Sequence, residues 1–213
     1  MRQALLHTPQ FVTVAERRLR AEPPRVDDAL ANPRGDHSLQ DEPFLAPSAP
    51  KQAAVLVPVV MHADEPAVLF TERASGLREH SGQIAFPGGR VDPQDHSPLE
   101  AAFREAEEEI GLDRSFVSPV GYLDAYLSST NYLVMPVVGL VSPAYALDLN
   151  PREVAAAFEV PLGFLMDPAH HQLHAREWQG RLRRYYAIPY GERYIWGVTA
   201  GIVRNLYERL YGP

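Results

Sequence analysis

The stretch that decides the fold is FPGGRVDPQDHSPLEAAFREAEEEIGL, residues 86–112. Its second half predicts a helix, because Ser97 can cap the helix, Pro98 suits the first helical position, and Glu100 completes a capping box. Gly111 is a typical residue for the end of a helix. The sequence therefore predicts one helix between a tight Gly-Gly turn and Gly111.

The predicted helix carries glutamate at four of the five positions from residue 105 to residue 109. Like charges three or four residues apart on a helix repel each other. At about 100° per residue, Glu105, Glu108 and Glu109 share one side of the helix, and Glu107 points elsewhere. Such a cluster is common on solvated helix faces. However, Glu105 and Glu109 can also converge on one cation, and carboxylate oxygens suit Mg²⁺ or Mn²⁺. We therefore interpret the cluster as a metal site.

A second face of the same helix is apolar, and its stripe consists of Leu99, Phe103, Ala106 and Ile110. This pattern predicts that one side of the helix packs on a sheet. We therefore expect Leu99, Phe103 and Ile110 to be buried, and Glu105 and Glu109 to line an open cleft.

The segments around the helix predict a mixed sheet. The predicted strands are 53–61, 67–73, a short strand within 83–89, 120–129 and 132–141, with a hairpin over 176–190. Residues 151–167 predict a turn and a short helix, and residues 195–210 predict a closing amphipathic helix. Strands, a central helix, more strands and a terminal helix are typical of an α/β or α+β domain with helices on the faces of a sheet.

The first 50 residues differ from the rest of the chain. Phe11, Val14, Ala15 and Leu19 fall at helical spacing, which predicts a short amphipathic helix. A loop-rich stretch with many prolines and aspartates follows. We therefore predict an N-terminal extension over residues 1–50 and one domain over residues 51–213.

The amino-acid composition limits the classes of protein to which the chain can belong. The chain has 213 residues, of which 46% are hydrophobic, so a sizeable core is available. A formal net charge of −7 argues against general binding to nucleic acid or to anionic membranes. There is no cysteine, which excludes disulfides and thiolate metal sites and is consistent with the cytoplasm. The sequence shows no membrane span and no signal peptide.

The stretch from Arg104 to Leu112, REAEEEIGL, resembles the second half of the Nudix box, R-E-U-x-E-E-x-G-U with U an apolar residue. The first half of that pattern, G-x5-E-x7, departs from the family. From Gly89 to Arg104 the spacing is one residue longer, no glutamate stands at the seventh place, and Asp95 and Glu100 are the nearby acids. The resemblance implies a Nudix α/β/α sandwich with a mixed sheet.

A second motif lies just upstream, where LFTERASGLREHSGQIAFPGG spans residues 69–89. It is similar to the L-L-T-x-R-S-x3-R-x3-G-x3-F-P-G-G motif of the coenzyme A pyrophosphatases, with Phe70 and Ala74 as the two departures. This resemblance implies metal-dependent hydrolysis of coenzyme A, or of acyl-coenzyme A, to adenosine 3′,5′-bisphosphate and 4′-phosphopantetheine. Arg73 and Arg78 are the candidates for phosphate contacts.

The resemblance also implies roles for the box. Glu105 and Glu109 would be the main ligands of Mg²⁺ or Mn²⁺, and Glu108 would complete the site or act as general base. Arg104 would hold the glutamates in place. A backbone carbonyl near Gly88 or Gly89 would add a ligand, and Glu153 is an outside candidate for the base.

Two alternatives stay open at this point. The first is a Nudix enzyme that acts on ADP-ribose or another nucleoside diphosphate derivative. The second is an inactive Nudix domain that binds a nucleotide, although inactive domains usually lack the box glutamates that this chain retains. Outside the motifs, Trp196 is interpreted as a core residue rather than as a platform for adenine. The oligomeric state is not predicted.

Overall fold

We analysed a computed structural model of the protein, which describes residues 8–31, 34–40, 49–76, 82–178 and 181–212. The helices are α1 Thr8–Arg18, α2 Val26–Ala31, α3 Pro98–Ile110, α4 Leu162–Leu165 and α5 Val198–Tyr211. The strands are β1 Arg34–Gly35, β2 Lys51–Val60, β3 Ala67–Arg73, β4 Ile84–Ala85, β5 Gly88–Arg90, β6 Val117–Tyr122, β7 Tyr126–Leu127, β8 Tyr132–Val141, β9 Val154–Pro161, β10 Gln172–Trp178, β11 Arg181–Tyr190 and β12 Arg193–Trp196.

The centre of the fold is a parallel ladder between β2 and β8, which runs from the pair Lys51 and Tyr132 to the pair Val60 and Val141. Around it, the described residues form a nine-stranded mixed sheet in the order β1-β7-β8-β2-β3-β4, with β5, β6 and β9 paired to β2, β8 and β3. Strands β10, β11 and β12 form a separate antiparallel sheet. The predicted α/β class with a mixed sheet is confirmed.

Both faces of the large sheet are covered, which explains why β2 is an almost continuous apolar run. Val57 and Val59 of β2 contribute to one core, where α5 and Phe11 of α1 pack. Leu56 and Val60 contribute to the other core, which α3 covers. The sheet therefore lies between α3 and α5, as in an α/β/α sandwich.

The ends of α3 lie where the sequence predicts them. The Oγ atom of Ser97 accepts a hydrogen bond from the Glu100 backbone N–H at 3.2 Å. The Glu100 carboxylate accepts from the His96 N–H at 2.8 Å, one residue earlier than in the predicted capping box. Gly111 adopts a left-handed φ of 65°, which is a common way to end a helix.

The predicted apolar stripe of α3 is only partly right. Ala106 and Ile110 are buried, but Leu99 and Phe103 are half-buried at the edge of the core. The expectation that Leu99 and Phe103 are fully buried is therefore wrong. The buried side of α3 is turned toward its alanines and toward Glu109, which is only 4% exposed.

The orientation of α3 predicts which of two side-chain truncations destabilises the protein more. Ile110→Ala removes a fully buried side chain and should lower the free energy of unfolding by about 2–5 kcal/mol. Phe103→Ala should cost roughly half of the 3–5 kcal/mol expected for a buried phenylalanine. Urea denaturation of both variants measures the difference. A larger loss in Phe103→Ala than in Ile110→Ala would contradict the observed orientation of α3.

Two other segments extend or correct the sequence predictions. The predicted turn and short helix of residues 151–167 are present at 151–153 and as α4, but the prediction missed strand β9 between them, which completes an antiparallel ladder with β3. The predicted N-terminal helix is present as α1. Its residues Phe11 and Ala15 are buried, as is Leu19 just after its end. The division into an extension over 1–50 and a domain over 51–213 stays a prediction.

No helix in the described part of the chain has the length and apolarity needed to cross a bilayer.

Candidate active site

The Gly-Gly turn lies against α3 because β5 pairs with β2. The pairs are Val55 with Gly88 and Ala54 with Gly89. Gly88 has a φ of 154°, and a Cβ atom there would lie 2.4 Å from the Ala54 carbonyl oxygen. Its backbone N–H donates a hydrogen bond to Oε2 of Glu109 at 3.1 Å. The turn thus supplies a backbone donor to a carboxylate on α3.

Gly89 keeps open the space directly in front of Glu105. A Cβ atom at residue 89 would lie 2.4 Å from the Glu105 carboxylate, which is closer than real contacts allow. Because glycine has no Cβ atom, the backbone at the Gly-Gly turn can approach the glutamates more closely than it could with any other residue type at this position.

Glu109 is buried, which differs from the expectation that it lines an open cleft. Its side chain is 5% exposed, and the nearest cation is Arg73, with Nη1 3.7 Å from Oε1. Burial raises the pKa of Glu109 to about 7, although the Gly88 N–H and Arg73 favour the charged form. The negative charges of Glu105 and Glu153 raise this pKa further. Glu109 is therefore a carboxylate whose charged form is costly unless a cation compensates it.

Glu105 is less deeply placed than Glu109, with 17% of its side chain exposed. Burial raises its pKa above the ordinary value, while the Arg104 guanidinium acts in the opposite direction. Glu108 is more than half exposed. It therefore lies open to solvent, as was expected of Glu109.

Arg104 is the centre of a network that orients these glutamates. Its Nη1 atom donates to Glu105 at 2.9 Å and to Glu108 at 3.2 Å. Its Nε and Nη2 atoms donate to the two oxygens of Asp95 at 3.1 and 3.0 Å. The hydrogen bond to Asp95 is the largest cause that raises the pKa of Arg104 above its ordinary value. The guanidinium is therefore permanently charged and fixed by three carboxylates.

Asp95 is a site residue whose role sequence reasoning missed. Its carboxylate is 5% exposed, and the Arg104 hydrogen bonds hold its pKa below the usual range. Asp95 occupies the seventh place counted from Gly89, where the family pattern has glutamate. Aspartate is a shorter acidic residue than glutamate, and Asp95 at this place of the motif could have been recognised from the sequence as the partner of Arg104.

Glu153, the outside candidate for the base, directly precedes β9. Its charge raises the pKa of both Glu105 and Glu109. Asn150 holds the loop in place, since its backbone N–H donates to the Glu109 carbonyl oxygen at 3.0 Å and its side chain donates to Glu153 at 3.0 Å. A strand that sequence reasoning did not predict, β9, thus begins beside the carboxylates of α3.

The donor set fits a divalent cation. Glu105, Glu108 and Glu109 offer hard carboxylate oxygens, and the Gly88–Gly89 turn brings backbone next to them. A cation would also relieve the cost of ionising buried Glu109. Among the residues that the structure describes, no three acidic or histidine side chains are already drawn together around one point. Arg104 instead engages Glu105 and Glu108.

A cleft of about 430 Å³ opens beside the Gly-Gly turn. Arg73, Gly88 and Gly89 lie along its wall, together with Tyr132 and Trp196. Trp196 is half-buried and lines this cleft, which differs from its interpretation as a core residue. The second predicted phosphate-binding residue, Arg78, lies outside the described residues.

The raised pKa of Glu109 predicts a pH-dependent effect on stability. Without metal, the unfolded chain loses this proton near pH 4.5 and the folded protein near pH 7, so the carboxylate destabilises the fold increasingly over that range. Glu109→Gln should therefore raise the free energy of unfolding by up to about 3 kcal/mol at pH 8 and by less than about 1 kcal/mol at pH 5.

Urea denaturation in EDTA at the two pH values measures this effect. Glu107→Gln is the matched control, because Glu107 lies on the same helix and its side chain is 58% exposed. The same stability difference at pH 5 and pH 8 in Glu109→Gln would show that burial of the carboxylate has no such cost.

Comparison with known proteins agrees with this geometry. The NUDIX domain model matches residues 50–179 of the chain. A protein of Photorhabdus laumondii described as an uncharacterized Nudix hydrolase, NudL, is 42% identical over 161 residues, which are 75% of this chain and 85% of that protein. A protein of Yersinia pestis with the same description is 39% identical over 182 residues, which are 85% of this chain and 90% of the relative.

One solved structure shows the same fold. A crystal structure of a Deinococcus radiodurans protein superposes with a TM-score of 0.50 and 14% identity, covering 81% of this chain and 89% of that chain. The Nudix hydrolase RenU of M. smegmatis gives a TM-score of 0.45 at 23% identity, over 53% and 71% of the two chains.

Proposed function

Since the chain belongs to the Nudix hydrolase family, we propose that it hydrolyses the diphosphate of coenzyme A and of its acyl derivatives. The family relationship supports hydrolysis of a nucleoside diphosphate derivative. The proposal adds the substrate, with adenosine 3′,5′-bisphosphate and 4′-phosphopantetheine as products.

The observation that carries this proposal is the position of Arg73. This arginine belongs to the upstream motif that resembles the coenzyme A pyrophosphatases, and its guanidinium lies in the wall of the cleft, 3.7 Å from Glu109. Its Nε atom has no hydrogen-bond partner among the described residues. The guanidinium thus keeps hydrogen-bonding capacity beyond its contact with Glu109, and a cation beside the candidate metal ligands suits a phosphoryl oxygen of the substrate.

The carboxylates of Glu105, Glu109 and Glu108 would hold Mg²⁺ or Mn²⁺, the ions that members of the family generally use. Such an ion, when bound, neutralises charge on the diphosphate and lowers the pKa of a bound water. Arg104 acts as a positioning residue, because its hydrogen bonds fix the carboxylates of Glu105 and Glu108.

The reaction needs a base for the attacking water. The water oxygen forms a bond to one phosphorus, the bridging P–O bond breaks, and the water proton passes to a carboxylate while the other phosphate leaves. Glu108 and Glu153 are the two candidates for this carboxylate. Glu108 is the more exposed, whereas Glu153 is held toward the cluster by Asn150.

Product analysis tests the proposal. Coenzyme A is incubated with the protein and with Mg²⁺ or Mn²⁺, and mass spectrometry should detect adenosine 3′,5′-bisphosphate and 4′-phosphopantetheine in equal amounts. ADP-ribose and a dinucleotide are run in parallel. Turnover of either without turnover of coenzyme A would overturn the substrate assignment and leave the Nudix hydrolase assignment intact. Failure of all substrates would favour an inactive nucleotide-binding domain.

The remaining aspects of this proposal rest on the sequence. The net charge of −7 supports a small-molecule substrate rather than nucleic acid or membrane as the partner. A cytoplasmic location stays a prediction from the cysteine-free composition.

A further inference from the structure

Away from the box, arginines from three parts of the chain meet around one cavity. This cavity, here named the arginine pocket, has a volume of about 350 Å³ and is lined by Arg17, Arg18, Arg34 and Arg209, with Asp124 and Glu208. Arg17 and Arg18 end α1, Arg34 begins β1, and Arg209 lies on α5. The pocket therefore exists only when these elements are packed together.

Both carboxylates of the arginine pocket already have arginine partners. Asp124 accepts from Arg20 at 2.7 Å and lies 3.6 Å from Arg34. Glu208 pairs with Arg34 at 2.7 Å and with Arg204 at 2.8 Å. Although burial opposes it, these two arginines hold the pKa of Glu208 below its usual range. The carboxylates thus organise Arg34 and are not free to neutralise the other arginines.

Three cations of the pocket have no acidic partner within the described ranges of the chain: Arg17, Arg18 and Arg209. Among the residues that the structure describes, the hydrogen bond of Arg209 comes from its Nε atom, which donates to the Arg18 carbonyl oxygen at 2.5 Å. That bond fixes the side chain and leaves the two terminal nitrogens, the fork that binds an oxyanion with two hydrogen bonds. The arginine is therefore held in place, and no described residue accepts a hydrogen bond from its anion-binding edge.

Asn205 also lines the arginine pocket. Asn205 is 9% exposed, and its Nδ2 atom has no hydrogen-bond partner among the described residues. An unsatisfied buried donor is unfavourable, and an acceptor that reached it from the pocket would relieve that cost.

A second cavity of about 240 Å³ shares Arg34, Asp124 and Arg209 and adds Arg20, Arg25 and Asp28. Together the two cavities hold six arginines and three carboxylates. The side chains around the two cavities therefore have a positive net charge, although the chain as a whole has a net charge of −7. Two phosphoryl groups carry roughly three to four negative charges at neutral pH, which matches that excess.

We propose that the arginine pocket is a second ligand site, which binds a small molecule that carries two phosphoryl groups. The site is separate from the candidate active site. Thr199, near the start of α5, lines the active-site cleft, and Arg209, near its end, lines the arginine pocket. Ten residues of helix separate them by about 15 Å. The proposal does not depend on the substrate assigned above.

Inorganic pyrophosphate is a suitable probe, used in EDTA so that a metal-dependent site is not filled. Equilibrium dialysis with the full chain should show one saturable site. Arg209→Gln should weaken binding at least tenfold, and Arg17→Gln about threefold or more. Arg114→Gln is the matched control, because Arg114 is an exposed arginine beside Glu107, remote from α1 and α5. This variant should bind like the parent protein.

A stability measurement and one further variant keep the outcome decisive. Arg209→Gln also removes the bond to Arg18, so thermal unfolding is measured for each variant, and exposed Arg17 decides the case if Arg209→Gln is unstable. Arg73→Ala should leave binding unchanged. Loss of binding in Arg73→Ala would place pyrophosphate at the candidate active site and overturn the proposal. Unchanged binding in Arg17→Gln, or no saturable binding in the parent protein, would overturn it as well.

Discussion

Glu105→Gln and Glu109→Gln should each lower kcat by several orders of magnitude while the protein stays folded. Each change removes one negative charge from the group that would hold Mg²⁺ or Mn²⁺ and keeps the size of the side chain. Glu109→Gln should retain the Gly88 hydrogen bond, because the amide oxygen can still accept it. The loss is therefore expected in turnover and in metal binding rather than in folding.

Steady-state kinetics with varied metal concentration measures this effect. EDTA should abolish turnover in the parent protein, and either metal should restore it. Glu107→Gln is the control, since it makes the same chemical change on the same helix at an exposed position and should keep the parent kcat. Full activity in Glu109→Gln would remove this residue from the catalytic machinery.

Arg73→Ala should lower kcat/KM by about 10- to 150-fold for coenzyme A and by a similar factor for dephospho-coenzyme A. The sequence alone leaves open whether Arg73 contacts the 3′-phosphate or the diphosphate. The structure favours the diphosphate, because the guanidinium lies beside Glu109 and the Gly-Gly turn. Both substrates carry the diphosphate, so both should be affected equally.

Arg78→Ala provides the comparison, although this residue lies outside the described ranges. If Arg78 contacts the 3′-phosphate, its replacement should lower kcat/KM by about 10- to 150-fold for coenzyme A and hardly change it for dephospho-coenzyme A. Kinetics of both variants on both substrates separates the two roles. Equal activity of Arg73→Ala and the parent protein on both substrates would show that Arg73 is structural.

The sequence predicts α3 well because local signals define it. Ser97 and Gly111 mark its ends, and both adopt the backbone geometry that such caps require. The rotation of α3 about its axis was harder to predict from the sequence. Simple amphipathic patterning places carboxylates on the solvent side of a helix, whereas α3 has one on its buried face. Glu109 can occupy that face because the Gly88 N–H and the Arg73 guanidinium reach it from other strands.

The parts of the site that sequence reasoning missed come from tertiary contacts. The contact of Asn150 with α3 depends on the loop that leads into β9, and the small residues of β9 gave no clear strand pattern. The role of Asp95 became evident from its two hydrogen bonds to Arg104 rather than from its residue type. The arginine pocket likewise combines residues almost 200 positions apart, such as Arg18 and Arg209.

The parallel ladder between β2 and β8 has a consequence for biosynthesis. Its partners lie about 80 residues apart in the sequence, and α3 comes between them. The ribosome therefore releases the carboxylate helix while the sheet beneath it still lacks a central strand. At about 5–20 residues per second, β2 waits on the order of seconds for its partner. During that interval the core around Leu56 and Ile110 lacks the residues that β8 supplies, such as Leu133 and Val137, and an incomplete core of this kind favours aggregation.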